Sequence, residues 1–438
     1  MTRLFIGCLA ATAIGAAAPV FAQPSPSARE PLQLGVLQRL AREADARTRE
    51  LDLLTQQTDL RLRNIDVERL PSVNALGQSQ YQSDVPKSPF NGPDGQPLFG
   101  APKFTYDASL RVDQRLYDAG TQPRRDLARA DLAESQARVR TALFALRQEV
   151  NDAFFAAALL QEQLGALTAT LDDLDKRLQE TTTRVREGAA LPGDAAAIEA
   201  TLLQQRQQAD ALRSGRRAAL ARLAALTGRP IEGDAVTVLP EMADRLSQVR
   251  DTLVGQRARP EYDQFDRARD RAATQQAVTN ATDRPQVLAF GRAGYGRPGL
   301  NFVSDQPEVY ALAGVQLQWK AWNWGTSDRE RDAIALQQRI VSAEEAAFTS
   351  GLRRAIESDL AGIDQLEASL PADERIVSLR ESIDRTARVR LDEGVITASE
   401  YLDRHTEWLT AQFDRARHRV ELAQARARVL TTLGLEVQ

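Results

Sequence analysis

The chain is poor in the residues that build most chemical sites. It has one cysteine, Cys8, and two histidines, His405 and His418. A structural zinc site takes about four Cys or His ligands, so none can be assembled, and no metal or cofactor set stands out. Lysine is scarce too. Of 56 basic residues only Lys87, Lys103, Lys176 and Lys320 are lysines, and the rest are arginines. Against 60 acidic residues the formal net charge is -4, which excludes a polybasic nucleic-acid binder. Aromatics make up 5%, so any core rests on Ala, Leu and Val. Beyond the N-terminus no stretch reaches the roughly 18 consecutive apolar residues of a transmembrane helix. A membrane span would have to be made of strands. There is no P-loop to cradle a nucleotide's phosphates.

What is present is length and pattern. At about 150 residues per domain, 438 residues suggest about three domains. With 43% hydrophobic residues the chain is too apolar for wholesale disorder. Residues 1–22 read as a secretory signal peptide: Arg3 is the charged start, Leu4 to Val20 the Ala-rich apolar stretch, and Ala18 to Ala22 the small-residue cleavage site. The alternative is a transmembrane anchor, which the short span and the Ala and Gly content disfavour. Cys8 lies too near the start for a lipoprotein anchor. Cleavage after Ala22 leaves no cysteine, so packing must hold the exported chain together.

Internal similarity decides the architecture. The segment Leu110 to Gly120 parallels Val315 to Gly325 at an offset of 205, with Tyr117 against Trp322, Asp118 against Asn323 and Gly120 against Gly325. Glu187-Gly188 parallels Glu393-Gly394, and Gly228 parallels Gly434, both at 206. Pro71 parallels Pro285 at 214. Matches in one order at nearly one offset describe a large unit used twice. The units span residues 23–228 and 259–438, with 229–258 as a linking segment.

Each unit reads helix, strand, loop, strand, long helix, turn, helix. In the first, residues 31–69 are helical up to Pro71. Strands follow at about 72–82 and 103–117, separated by a Pro- and Gly-rich loop. Between 103 and 113 the alternation is clean: Phe104, Tyr106, Ala108, Leu110 and Val112 against Thr105, Asp107, Ser109, Arg111 and Asp113. A long helix over about 123–187 contains no proline after Pro123; at 1.5 Å per residue it is a rod of roughly 96 Å. Asp194 is expected to cap the next helix. The second unit repeats this with strands at about 286–296 and 308–320 and a long helix over about 327–393, where Pro371 predicts a kink.

Such helices suit side-by-side packing in a bundle or coiled-coil tube. A soluble coiled coil accounts for the helices but not for four alternating strands in an exported protein. Strands with one apolar and one wet face are the signature of an outer-membrane barrel. Tyr117, Trp319, Trp322 and Trp324 fall where strands give way to long helices, which suits a membrane boundary or plain junction packing. Four strands cannot close a barrel, and open edges do not survive in lipid. Two copies would bring eight strands with a filled interior, three would bring twelve and room for a pore.

The chain resembles the TolC family of outer-membrane efflux and secretion ducts. The carriers are Gln-Arg-Leu-Tyr-Asp-Ala-Gly at 114–120, Ala-Arg-Pro-Glu-Tyr at 258–262, Trp-Asn-Trp-Gly at 322–325, and Glu-Gly-Val-Ile-Thr-Ala-Ser-Glu-Tyr-Leu-Asp at 393–403. The resemblance implies a mainly α fold with a small membrane β part. It implies a homotrimer whose twelve-stranded barrel crosses the outer membrane of a Gram-negative bacterium and continues as a periplasmic α-helical barrel. It implies a periplasmic membrane-fusion adaptor and an inner-membrane pump, of RND or ABC type, as partners. Residues 229–258 would then form an equatorial belt. The activity expected is passive: export of small molecules or proteins in tripartite efflux or type I secretion. It is not an enzyme and needs no cofactor. The alternative is a periplasmic coiled-coil protein with no channel.

Under the resemblance the two helix turns form the periplasmic end. Glu400 and Asp403 share a helix face, and with Asp194 they are candidates for acidic gate rings. Asp194 and Glu400 are also good helix-start residues, so both readings stay open. Gly188, Ala189, Gly394, Val395 and Ile396 are candidate adaptor-docking knobs, or simply turn geometry. Leu391 and Ile396 stand where some relatives carry polar gating partners. The match of Gly294 to Gly299 to a dinucleotide fingerprint fails, because no helix follows.

Overall fold

The computed structural model describes residues 31–86, 90, 93, 101–250, 258–300 and 306–436. The expected signal peptide and most of the first strand–strand loop lie outside them. The first repeat holds α1 (Leu34–Ala44), α2 (Arg47–Val67), β1 (Ser72–Tyr81), β2 (Phe104–Asp118), α3 (Thr121–Arg186) and α4 (Pro192–Thr227). After α5 (Ala243–Arg250), the second holds α6 (Pro260–Thr282), β3 (Gln286–Arg297), β4 (Glu308–Gln318), α7 (Thr326–Asp392) and α8 (Ala398–Thr432). The 66 residues of α3 and 67 of α7 make rods of about 100 Å.

Two local outcomes depart from the sequence reading. The helix expected over 31–69 is two helices, because the Asp45 carboxylate accepts the Arg47 backbone N–H at 2.8 Å and competes with the helical ladder. Asp194 does not cap its own helix: Pro192 takes the first helical position, which leaves Asp194 inside the first turn. The helix α7 is continuous through Pro371.

The four strands form one antiparallel sheet in the order β1-β2-β3-β4, and the β2–β3 pair joins the repeats. The register aligns the alternations. Leu110 stands opposite Ala75 and Ala293, and Ala293 opposite Ala311. Val73, Val112, Val309, Val315 and Leu317 extend the same face, exposed to the surroundings. The opposite face carries Asp107, Ser109, Arg111, Asp113 and Arg292. Below the sheet, α3 and α4 form one hairpin, α7 and α8 another, and α3 also packs on α8 and α6.

The core is strung along the rods in separate clusters. The largest lies mid-rod, where Phe154 and Phe155 of α3 meet Leu37 of α1, Leu223 of α4, Val420 and Leu430 of α8, and Met242. Fully burying such side chains contributes about 1.5–3 kcal/mol each. Gln38 donates to Asn151 at 2.6 Å and Asn151 to Thr431 at 3.1 Å. This satisfied polar chain fixes the register of α1, α3 and α8.

Candidate functional site at the paired helix turns

The turns α3–α4 and α7–α8 are conformational copies. Gly188 has φ +73° and Gly394 φ +72°, with space around both. Each ends its helix in the left-handed conformation that glycine adopts without strain. The Gly188 N–H donates to the Val185 carbonyl at 3.1 Å and the Ala189 N–H to Arg184 at 2.7 Å. In the second turn Gly394 donates to Leu391 at 3.0 Å and Val395 to Arg390 at 2.8 Å. The duplication seen in the sequence reaches the hydrogen bonds.

The helix starts differ. α8 opens with a reciprocal capping box: the Thr397 hydroxyl accepts from the Glu400 N–H at 3.3 Å, and the Glu400 carboxylate accepts from the Thr397 N–H at 3.4 Å. The Asp194 carboxylate instead accepts from the Ala398 N–H of α8 at 3.0 Å. It therefore serves the start of α8, in the other hairpin. The Asp403 side chain is exposed, and neither it nor Glu400 has a cationic partner within 4 Å among the described residues. Between the turns lies an open cavity of about 830 Å3, reached by Arg177, Arg184, Asp194, Leu391, Ile396 and Glu400. Val395 is exposed, while Leu391 and Ile396 pack on a cluster built from Leu174, Ile198, Ala398 and Tyr401.

Above the turns stands a polar network that the sequence reading missed. Arg177 of α3 donates to Asp392 at the end of α7 at 2.9 Å, and its guanidinium lies 5.1 Å over the Tyr401 ring. Arg184 donates to the Asp392 carbonyl at 3.1 Å. Arg388 of α7 pairs with Asp173 of α3, and the Tyr401 hydroxyl of α8 donates to Asp173 at 3.4 Å. Burial, then the charges of Asp384 and Asp173, push the Tyr401 pKa up to about 12. The hydroxyl stays protonated at neutral pH and remains a donor. His405 is buried against Asp384 at 2.9 Å. These contacts tie one hairpin to the other. The only signal in the sequence is i,i+4 spacing, Asp173 to Arg177 and Arg388 to Asp392, which solvated helix faces also show.

At the other end, strands turn into rods through two corners that share a side-chain acceptor but differ in backbone, Gly120 having φ -82° and Gly325 φ +69°. The Gly120 N–H donates to Asp118 at 2.8 Å and the Gly325 N–H to Asn323 at 3.1 Å. Tyr117, Trp319, Trp322 and Trp324 are all exposed here, with Trp322 and Trp324 in edge contact at 5.8 Å. The Trp319 indole N–H donates to the Asp283 carbonyl at 3.0 Å. Hydrogen bonds from Ser327, then the Arg331 guanidinium, hold the Asp283 carboxyl below the usual range.

On the polar face of the sheet charges are paired. Arg292 donates to Asp107 at 2.7 Å and to Ser109 at 2.9 Å, and Arg111 to Asp113 at 2.9 Å. The Tyr310 ring crosses Gly294 so that its hydroxyl reaches Asp107. Phe290 lies over Gly314 in the same way. Of the false fingerprint, Gly294 is thus the seat of an aromatic ring, while Gly296 runs close to the Tyr106 carbonyl. No helix is long and apolar enough to cross a membrane, and no cluster of His, Cys, Asp or Glu could hold a metal ion, among the described residues.

Comparison with known proteins agrees with this geometry. Residues 40–229 match the family described as outer membrane efflux protein. No curated protein matches the chain. Among solved structures, the open-state MtrE outer membrane channel of Neisseria gonorrhoeae is 19% identical, with a TM-score of 0.64 over 92% of this chain and 89% of that one. The CmeC outer membrane channel of Campylobacter jejuni is 14% identical, with a TM-score of 0.65 over 95% and 90%. The outer membrane protein VceC of Vibrio cholerae is 15% identical, with a TM-score of 0.65 over 93% and 97%. At these identities the structures speak for the fold, which spans both repeats, while the family match rests on the first. Residues 40–229 thus resemble the outer membrane efflux protein family, and the chain over both repeats has the fold of these outer membrane channels.

Proposed function

We propose that three copies of this chain form a passive export duct. Their sheets would close a twelve-stranded barrel in the outer membrane and their helices a tube through the periplasm. The observation that carries this reading is the sheet itself. It has four strands, one exposed apolar face, and free edges at β1 and β4. Such a sheet is stable in lipid only when copies close it. A second feature supports assembly: Leu336 and Ile340, and further along Ile376, Leu379 and Ile383, lie exposed on α7, two apolar patches that suit a neighbouring protomer.

In this reading the exposed aromatics sit at the membrane boundary, and the paired turns form the periplasmic end. Glu400 and Asp403 from three protomers line the entrance as a carboxylate ring that favours cations. Asp194 fastens the hairpins rather than lining the pore. Opening breaks the ties of Asp173 and Asp392 to Arg177, Arg388 and Tyr401. The exposed turn residues Gly188, Ala189, Gly394 and Val395 meet a periplasmic adaptor, which works with an inner-membrane pump in tripartite efflux or type I secretion.

The test is single-channel recording of detergent-purified protein in planar bilayers. Discrete currents are expected. Failure to insert, with the protein recovered from the soluble periplasm, would leave a coiled-coil structural role instead.

A further inference from the structure

Beside the mid-rod core lies a cavity of about 360 Å3 walled by α1, α3, the start of α6 and the chain after α8. Arg39 and Arg42 reach it from α1, Arg140 and Arg147 from α3, and among the described residues the single carboxylate on its wall is Glu436. The chain as a whole carries a net charge of -4, so four guanidinium groups around one carboxylate reverse the local sign.

Some arginines on the open helix faces find carboxylates a turn away, as in Arg138 with Glu134 at 3.0 Å and Arg385 with Glu381 at 3.0 Å. Arg39 and Arg42 have no carboxylate within 4 Å among the described residues. Arg140 only approaches Asp263, at 3.7 Å on the rim. Arg147 donates to the Leu435 carbonyl at 3.2 Å and meets Glu436 at 3.4 Å, with its guanidinium 4.9 Å over the Phe144 ring. Burial lowers the Arg147 pKa, Glu436 raises it, and the charge of Arg42 lowers it again. A bound anion relieves that repulsion.

We propose that this pocket binds a small oxyanion with two or more charged oxygens, a phosphate ester or a polycarboxylate. Planar guanidinium forks match that chemistry in bidentate fashion. The anion bridges α1 and α3 beside the segment after α8, and so braces the rod where the two repeats meet.

The test is thermal unfolding of the detergent-purified protein, titrated separately with pyrophosphate and with citrate, chloride holding ionic strength constant. A saturable rise in Tm is expected. A response to pyrophosphate alone assigns a phosphate ligand, to citrate alone a carboxylate ligand, and to both a general oxyanion site. In Arg39→Gln/Arg42→Gln the apparent affinity should fall about tenfold or more, since two charge-assisted contacts go. Gln keeps nearly the same helix propensity, so α1 should survive. Glu436→Gln should tighten binding, a change of opposite sign that a loosened fold would not produce. No saturable shift beyond the chloride control, equal shifts in wild type and double variant, or weaker binding in Glu436→Gln would each overturn the site. Single-channel currents of the double variant without anion should match wild type, so failure of this site and failure of the duct are read apart.

Discussion

The sheet and the paired turns lie at opposite ends of the same rods and treat charge in opposite ways. On the sheet's polar face Asp107 meets Arg292 and Tyr310, and Arg111 meets Asp113, all within the sheet of one protomer. Two rings lie flat on glycines, which keeps that face low. At the turns Glu400 and Asp403 face outward with no cation beside them. The charges that are paired there, Asp173 and Asp392, pair between hairpins. A contact within one sheet survives any rigid movement of the rods, and a contact between hairpins does not. The sheet is built to stay as it is. The turn end is built from bonds that a hinge movement breaks.

The largest effect is expected where the sheet is tightest. A Cβ on Gly294 would lie 2.7 Å from the Tyr310 ring and 2.8 Å from Ser109. Gly294→Val must displace Tyr310 and strip Asp107 of a donor, at a cost of about 3 kcal/mol or more. The thermal resistance of the assembled protein should drop sharply while the helix turns keep their protection from proteolysis. Next comes Arg177→Ala at the other end. Its side chain is only 8% exposed, although Asp392 is 51% exposed and screened by water. Loss of the ion pair and the ring contact should cost about 1–2 kcal/mol. The larger consequence is functional: currents recorded without an adaptor should rise. Unchanged currents would leave the network as a structural tie only.

The contrast between the two ends was partly legible in the sequence. The alternation from Phe104 to Val112 announces β2, because one residue in two faces the apolar side. The glycines at 188 and 394 announce the turns, because only a left-handed position there ends both helices. By contrast Asp194 looks like the cap of its own helix, and nothing local says that it reaches Ala398, 204 residues away. Arg177 and Arg388 look like solvated helix charges. Their partners are set by how two hairpins lie against each other, which is a tertiary fact with no short-range signature. The pocket of Arg39, Arg42, Arg140 and Arg147 is hidden for the same reason.

A smaller effect isolates one bond of the network by pH. Tyr401 has an ordinary value of 10.0 and is pushed up to about 12 in the fold. Its contribution is complete below the unfolded value and is lost as pH rises through the folded one, between about 10 and about 12. Tyr401→Phe keeps the ring under Arg177 and removes the 3.4 Å hydrogen bond to Asp173, a loss of about 0.5–1 kcal/mol at neutral pH. The wild type should therefore lose an increment of stability in that alkaline window which the variant lacks. Alkaline unfolding curves of identical shape would mean that Tyr401 does not tie the hairpins.

The smallest change in stability should accompany a distinct change in conduction. Glu400 and Asp403 are exposed, and only the capping box links Glu400 to the backbone. Glu400→Ala/Asp403→Ala should shift stability by no more than about 1 kcal/mol, the worth of a cap bond plus an ordinary surface substitution. A carboxylate ring acts on passing ions through its field alone. The double variant should therefore fold as wild type and lose cation preference, measured as the reversal potential in a salt gradient. The same neutralisation on the sheet, Asp107→Asn, should do the reverse: it disturbs a paired cluster, costs stability, and leaves the reversal potential nearly unchanged. If instead Asp107→Asn moves selectivity and the Glu400/Asp403 pair does not, the sheet holds the charge filter and the division of labour between the two ends is inverted.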